Sequence, residues 1–221
     1  MLTTNIDFKN FKLKKKKSNI KKYLRIILNN KNQIISSLSK NYKDSFIKKK
    51  ISKYKKNLNF RIIGMGGSTL GSQAIYDFLN KKIKKNFVFI DNLHAVKLKN
   101  KKKIFTNLIV SKSGNTIETI VNSNILIKKK DTNIFITENK ESYLNLLAKK
   151  LKAEVVFHNN YIGGRYSVLS EVGMLPADLM GLDAKNFRQL NNLIKNKAFL
   201  NSLVRNVEAT LFFIKNKKFN S

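Results

Sequence analysis

Between residues 57 and 183 the chain alternates short apolar runs with stretches whose apolar residues recur at helical spacing. The runs are Phe60-Arg61-Ile62-Ile63, Phe87-Val88-Phe89-Ile90, Leu108-Ile109-Val110, Ile134-Phe135-Ile136 and Val155-Val156-Phe157. Helical spacing falls near residues 69–81, 116–128 and 141–151, while the link at 92–104 carries no clear period. Runs that are apolar on both faces are expected in a parallel sheet covered by helices on either side. The pattern therefore predicts an α/β fold, a doubly wound parallel five-stranded sheet flanked by helices. In such folds ligands bind at the carboxyl ends of the strands.

The flanks read differently. Residues 1–56 form a basic, mostly helical arm with apolar stripes at Tyr23, Leu24, Ile27 and Leu28, at Ile34, Ile35 and Leu38, and at Phe46, Ile47, Ile51 and Tyr54. After Asp183 two helices are expected, one marked by Phe187, Leu190 and Ile194, the other by Leu203, Val204, Val207, Leu211 and Ile214. The expected domains are 1–56, 57–183 and 184–221.

Three turns rich in glycine or hydroxyl groups follow strands. Ser111-Lys112-Ser113-Gly114-Asn115-Thr116-Ile117-Glu118-Thr119 joins the third strand to a helix. Such a turn collects hydroxyls and free backbone N–H groups at a helix N-terminus, where an anion is favoured. The glycine-lysine-threonine signature of a triphosphate loop is missing, so a single phosphate ester is the expected guest. Asn115 as N-cap and Glu118 three residues on also fit a capping box. Gly64-Met65-Gly66-Gly67-Ser68-Thr69-Leu70-Gly71 follows the first strand. Asp91 ends the second strand as a ribose-binding acid would, but Thr69 stands where a dinucleotide fingerprint needs glycine, so a nicotinamide cofactor is set aside. What remains is a turn whose backbone approaches a ligand closely, with the Ser68 hydroxyl available. Gly163-Gly164-Arg165-Tyr166-Ser167-Val168-Leu169-Ser170 follows the fifth strand. Arg165 is the only arginine between Arg61 and Arg188 in a chain that otherwise uses lysine. A permanently charged fork on a glycine turn suits a developing oxyanion; the competing reading is a surface ion pair with Asp178 or Glu171.

Composition changes this picture little. The net charge is +32, yet only five of the 45 basic residues are arginine. Residues 1–56 carry 18 basic and 2 acidic side chains, whereas residues 111–183 carry 9 and 8. The charge lies away from the candidate site and reads as solvated surface, so nucleic acid is not an expected partner. There are no cysteines, and no apolar run is long enough to span a bilayer, so a cytoplasmic protein without membrane contact is expected. His94 and His158 offer too few ligands for a metal site and read as satisfied loop-end groups.

The three turns, in this order and spacing, resemble those of the glucose-6-phosphate isomerase (phosphoglucose isomerase) family over residues 58–183. Gly163-Gly164-Arg165-Tyr166-Ser167-Val168-Leu169-Ser170-Glu171-Val172-Gly173-Met174-Leu175-Pro176 is the most specific segment. The resemblance implies a sugar isomerase (SIS) domain and reversible conversion of glucose 6-phosphate to fructose 6-phosphate through a cis-enediol, without metal or redox cofactor. By the same resemblance Gly67 and Ser68 contact the sugar phosphate, and Ser111, Lys112, Ser113, Gly114, Asn115 and Thr116 form the phosphate loop. Glu118 sits at the active-site edge, and Arg165 stabilises the enediolate. In the family the glutamate base, a histidine and a lysine follow later in the chain, so a fragment with poor activity alone is expected, and a homodimer for the full-length enzyme. His158-Asn159-Asn160-Tyr161 departs from the family, in which tryptophan is common before the glycine pair. The alternative from another class is a non-catalytic SIS-domain sugar-phosphate sensor whose basic arm contacts nucleic acid. The smaller phosphoglucose/phosphomannose isomerase shares the Ser-Gly-Asn-Thr loop but is less expected to carry the Gly-Gly-Arg-Tyr-Ser segment.

Overall fold

A computed structural model describes residues 19–30, 32–93 and 103–216. His94, most of the 92–104 link and the first 18 residues of the basic arm lie outside the described residues. The chain divides into two compact units, one of residues 42–187 and one that joins residues 1–41 to residues 188–221.

The helices α1 (Ile20–Asn29), α2 (Gln33–Ser37) and α3 (Lys48–Ser52) precede strand β1 (Asn59–Gly64), and α4 (Leu70–Leu79) follows it. Then come β2 (Asn86–Ile90), β3 (Thr106–Val110), α5 (Ile117–Leu126), β4 (Thr132–Thr137), α6 (Tyr143–Lys150), β5 (Glu154–Phe157) and α7 (Glu171–Leu179). The chain closes with α8 (Leu190–Lys195) and α9 (Lys197–Lys215). Each expected strand forms, and all five pair in parallel in the order β2-β1-β3-β4-β5. That order reverses direction between β1 and β3, where a doubly wound sheet opens a crevice at its carboxyl edge.

Residues alternate between the two faces of the sheet. Phe60, Ile62, Leu108, Val110, Ile134 and Ile136 bury one face against Ile51 of α3, Ile75 of α4 and Val172, Leu175 and Leu179 of α7. Ile63, Ile109 and Phe135 bury the other against Leu126 of α5 and Leu144 and Ala148 of α6. Each large apolar side chain so buried contributes about 1.5–3 kcal/mol, so a one-residue slip in any strand would forfeit several such terms.

Two boundaries move from their expected places. Residues 42–56 fold with the sheet, because Phe46, Ile51 and Tyr54 enter its core. Phe187 belongs there too: its N–H donates to Ala184 in a 3-10 turn and its ring packs on that core, so α8 starts only at Leu190. In the other unit the Leu190 N–H donates to the Leu38 carbonyl, and Asn196 caps α9 by accepting from Ala198 and Phe199. Among the described residues no helix is long and apolar enough to cross a membrane.

Candidate active site

The three turns stand at the carboxyl ends of β1, β3 and β5, and β5 is an outer strand two places beyond β3. The chain leaving β5 therefore has to return across the carboxyl edge to meet β1. It does so in residues 158–169. The Lys112 ammonium, just after β3, donates to the Asn160 carbonyl at 2.7 Å. Further on, Ser167 Oγ donates to the Gly67 carbonyl at 3.2 Å and to the Gly164 carbonyl at 2.8 Å. The first turn is approached most closely at Gly67, where a Cβ would lie 2.3 Å from the Gly164 oxygen. The 3-10 segment Gly164–Leu169 then wedges Val168 between Gly71 of α4 and Gly173 of α7, where a Cβ would fall 2.8 Å and 2.1 Å from Val168 atoms respectively. Glycine at these positions is what allows the first and third turns to touch.

The 111–116 turn is built from its own hydroxyls and from its neighbours. Ser111 Oγ and Thr116 Oγ1 are 2.9 Å apart, and the Gly114 N–H donates to Ser111 Oγ at 3.2 Å. The Asn115 N–H donates to Ser113 Oγ at 3.2 Å. Gly114 takes φ +70°, a region that favours glycine, and a Cβ there would meet Ser142 Oγ at 2.2 Å. The turn is tied to β4 by the Glu138 N–H donating to the Lys112 carbonyl, and to α6 by the Leu144 N–H donating to the Gly114 carbonyl.

The capping box expected at Asn115 and Glu118 does not form. Thr116 is the N-cap of α5, and no side chain caps that helix end. Asn115 Oδ1 turns instead to the neighbouring helix and accepts from the Tyr143 N–H of α6 at 2.9 Å. The reason is geometric: α5 starts one residue later than a box would require, so with Thr116 as N-cap the residue three positions on is Thr119, not Glu118. Among the described residues no side chain caps the first N–H groups of α5, which is the arrangement that accepts an anion. Ser113 and Asn115 are exposed there, Ser111 is buried, and Thr116 and Glu118 are half-buried.

Lys112 is more constrained than a surface lysine. Besides Asn160 it lies 3.5 Å from Glu138, which also meets Lys140 at 2.6 Å. Burial pushes the Glu138 carboxyl up, but the Lys140 hydrogen bond and the Lys140 and Lys112 charges outweigh it and leave it below the ordinary range.

Arg165 is exposed, and among the described residues it forms no ion pair. Both candidates for a surface pair are taken. Asp178 binds Lys55 at 3.0 Å. Glu171, fully buried, binds His158 Nδ1 at 2.9 Å and accepts from the Asn159 N–H at 2.6 Å. The guanidinium therefore stands exposed without an ion pair among the described residues. His158 is a satisfied loop-end group, as its position suggested, but its pairing with Glu171 carries no sequence signal, since neither periodicity nor spacing joins an end-of-strand histidine to a helix-opening glutamate. Ser68 and Gly67 lie in the 3-10 turn Gly66–Ser68, half-buried and beside the returning segment.

The family model described as phosphoglucose isomerase matches residues 28–209. The glucose-6-phosphate isomerase of Methanocaldococcus jannaschii is 33% identical over 189 residues, covering 74% of this chain and 46% of the relative. That of Acholeplasma laidlawii is 34% identical over 175 residues, covering 65% and 41%. The chain thus spans less than half the length of these relatives. Among solved structures, a hypothetical protein from Thermus thermophilus superposes with a TM-score of 0.58 at 22% identity, over 76% of this chain and 44% of that one. A tagatose-6-phosphate ketose/aldose isomerase from Escherichia coli gives 0.53 at 16%, over 72% and 48%. Both support the fold.

Proposed function

The chain belongs to the phosphoglucose isomerase family, and from that premise we propose that its three turns hold a hexose 6-phosphate for interconversion of glucose 6-phosphate and fructose 6-phosphate. The phosphate rests on the 111–116 turn, where the Ser113 and Thr116 hydroxyls and the uncapped N–H groups of α5 supply donors. Gly67 and Ser68 close on it from β1. The carbonyl end of the open-chain sugar faces Arg165.

In this reading a proton moves between C2 and C1 through a cis-enediolate, and its oxygen gains negative charge during the transfer. Arg165 balances that charge with a fixed guanidinium, an effect worth about two to three orders of magnitude in turnover for one well-placed donor. Glu118, on the first turn of α5, lies at the edge of the site. Glu171 and Glu138 are ill-suited as bases, because Glu138 is engaged by two lysines and Glu171 by the His158 ring and other donors. The same premise gives a cytoplasmic homodimer as the working assembly, and light scattering of the purified protein would test the dimer.

The single observation that carries the reading is the contact of Gly67 with Gly164, which joins the glycine turn to the arginine turn at the switch point while leaving Arg165 unpaired among the described residues. Calorimetric titration with fructose 6-phosphate, inorganic phosphate and fructose tests it. Binding of the phosphorylated sugar, weaker binding of phosphate and none of fructose are expected. Equal binding of fructose and fructose 6-phosphate would sink it. Salt-dependent DNA binding that changes with fructose 6-phosphate would move the assignment to a sensor.

A further inference from the structure

Glu171 opens α7 with no solvent exposure, and three donors converge on its carboxylate. Oε1 meets His158 Nδ1 at 2.9 Å and the Asn159 N–H at 2.6 Å, while Oε2 accepts from the Tyr42 hydroxyl at 3.2 Å. On its far side the His158 ring meets a second acceptor, the Ile162 carbonyl, 2.9 Å from Nε2. A carbonyl only accepts, so Nε2 donates to it, and the ring spans the distance from the Glu171 carboxyl to that carbonyl. Ile162 is itself fully buried, and its carbonyl carbon is bonded directly to Gly163.

We propose that Glu171, acting through His158 and the Ile162 carbonyl, is the positioning residue that aims Arg165 at the sugar. This rests on the hexose-phosphate reading of the site. Gly163 and Gly164 would by themselves leave the arginine turn free to swing. Two clamps bound it. Ser167 Oγ fixes the exit by donating to Gly67 and Gly164. The Glu171–His158–Ile162 relay fixes the entrance, immediately before the glycine pair. Three groups supplied by residues 42, 158 and 159 occupy the two carboxylate oxygens, so Glu171 cannot serve as a direct partner of Arg165, and its influence passes through the backbone. The logic is that of an acid that orients a histidine, with a carbonyl and the turn behind it as the object oriented.

The test uses the 221-residue chain, titrated calorimetrically with fructose 6-phosphate and separately with inorganic phosphate. Glu171→Ala should weaken fructose 6-phosphate by about tenfold, the scale of one charged hydrogen bond, and leave inorganic phosphate unchanged. In an Arg165→Ala background the same substitution should cost nothing further, although it should lower the melting temperature equally in both backgrounds. Glu171→Gln should restore affinity, since its amide oxygen still accepts from His158 and Asn159. If Glu171→Ala fails to fold, Glu171→Asp replaces it: the charge stays but the carboxylate withdraws by one methylene, and a smaller loss in the same direction is expected. Additive losses from Glu171→Ala and Arg165→Ala, or equal weakening of phosphate and fructose 6-phosphate, would overturn the positioning role and leave a simple brace. If the unsubstituted chain does not bind fructose 6-phosphate, the hexose-phosphate reading fails first and this role with it.

Discussion

The backbone of Gly67, after β1, lies against that of Gly164, after β5, so closely that a Cβ on Gly67 would stand 2.3 Å from the Gly164 oxygen. The Ser167 hydroxyl, its one hydrogen shared between the Gly67 and Gly164 carbonyls, ties the two turns together. Gly67→Ala therefore forces the arginine turn off the glycine turn. Overpacking of this kind costs about 1–3 kcal/mol, and fructose 6-phosphate affinity should fall at least about tenfold with it, since about 1.4 kcal/mol is one decade. Gly66→Ala is the control. Its φ is +55° with nothing within 4 Å of a Cβ, so it should lower stability through backbone strain and spare affinity. Urea unfolding and calorimetry of the two variants separate contact from strain.

Arg165 is exposed and unpaired among the described residues, so Arg165→Ala should change stability by no more than about 0.5 kcal/mol. Its cost should appear only with the sugar. Fructose 6-phosphate should bind about tenfold or more weakly, the value of a charged hydrogen bond, while inorganic phosphate binds as before. Arg165→Lys should recover only part of the loss, since a point charge does not reproduce the planar fork. Parallel loss of both ligands would mean that Arg165 serves the phosphate rather than the sugar carbonyl.

The sheet was legible because all five strands are apolar on both faces, a pattern that only a covered parallel sheet rewards; Ile63 and Ile109 serve one face as fully as Ile62 and Leu108 serve the other. The turns were legible because glycine and hydroxyl residues cluster where strands end. Less visible was how the turns meet. The Gly67–Gly164 contact depends on the chain returning across β4 and β3, and no local pattern encodes a return path. Tertiary context also overrode local rules at Asn115, which has the spacing of a cap for α5 yet caps α6. It did so again at residues 42–56, whose helical stripes and lysines suggested a separate arm although Phe46, Ile51 and Tyr54 complete the core.

That displaced cap has a measurable signature. Asn115 Oδ1 holds the Tyr143 N–H of α6, beside the Ser142 cap that accepts from Asn145. Asn115→Ala should cost about 0.5–2 kcal/mol, the range for losing a helix cap. Amide exchange should accelerate at Tyr143 and Leu144 and not at Glu118 and Thr119. Glu118→Gln should leave stability unchanged within about 0.5 kcal/mol, since no capping box links it to Asn115. Faster exchange at the start of α5 in Asn115→Ala would restore the capping box in place of the α6 contact.

The pH dependence of stability follows from two buried carboxyls and one half-buried tyrosine. For Glu171 burial raises the carboxyl pKa, but the His158 hydrogen bond, the Asn159 and Glu171 backbone N–H groups and the His158 charge together hold it below its ordinary 4.5. Glu138 is likewise held low, by Lys140 and Lys112 against its burial. A carboxyl whose folded pKa is depressed binds fewer protons when folded than when unfolded. Its contribution is present above the unfolded value near 4.5 and is lost as pH falls through the lower folded value. Tyr42 works at the other end: burial first, then the Glu171 charge, raises its hydroxyl above the ordinary 10.0. Its contribution is complete below that value and is lost as pH rises past it. The urea midpoint should therefore be level from about pH 5 to 9 as far as these groups set it, falling on both sides. Glu138→Gln should make the acid limb shallower and leave the alkaline limb alone, and Tyr42→Phe should do the reverse. An acid limb equally steep in Glu138→Gln would remove Glu138 from the account and place the whole acid transition on Glu171 and the remaining carboxylates.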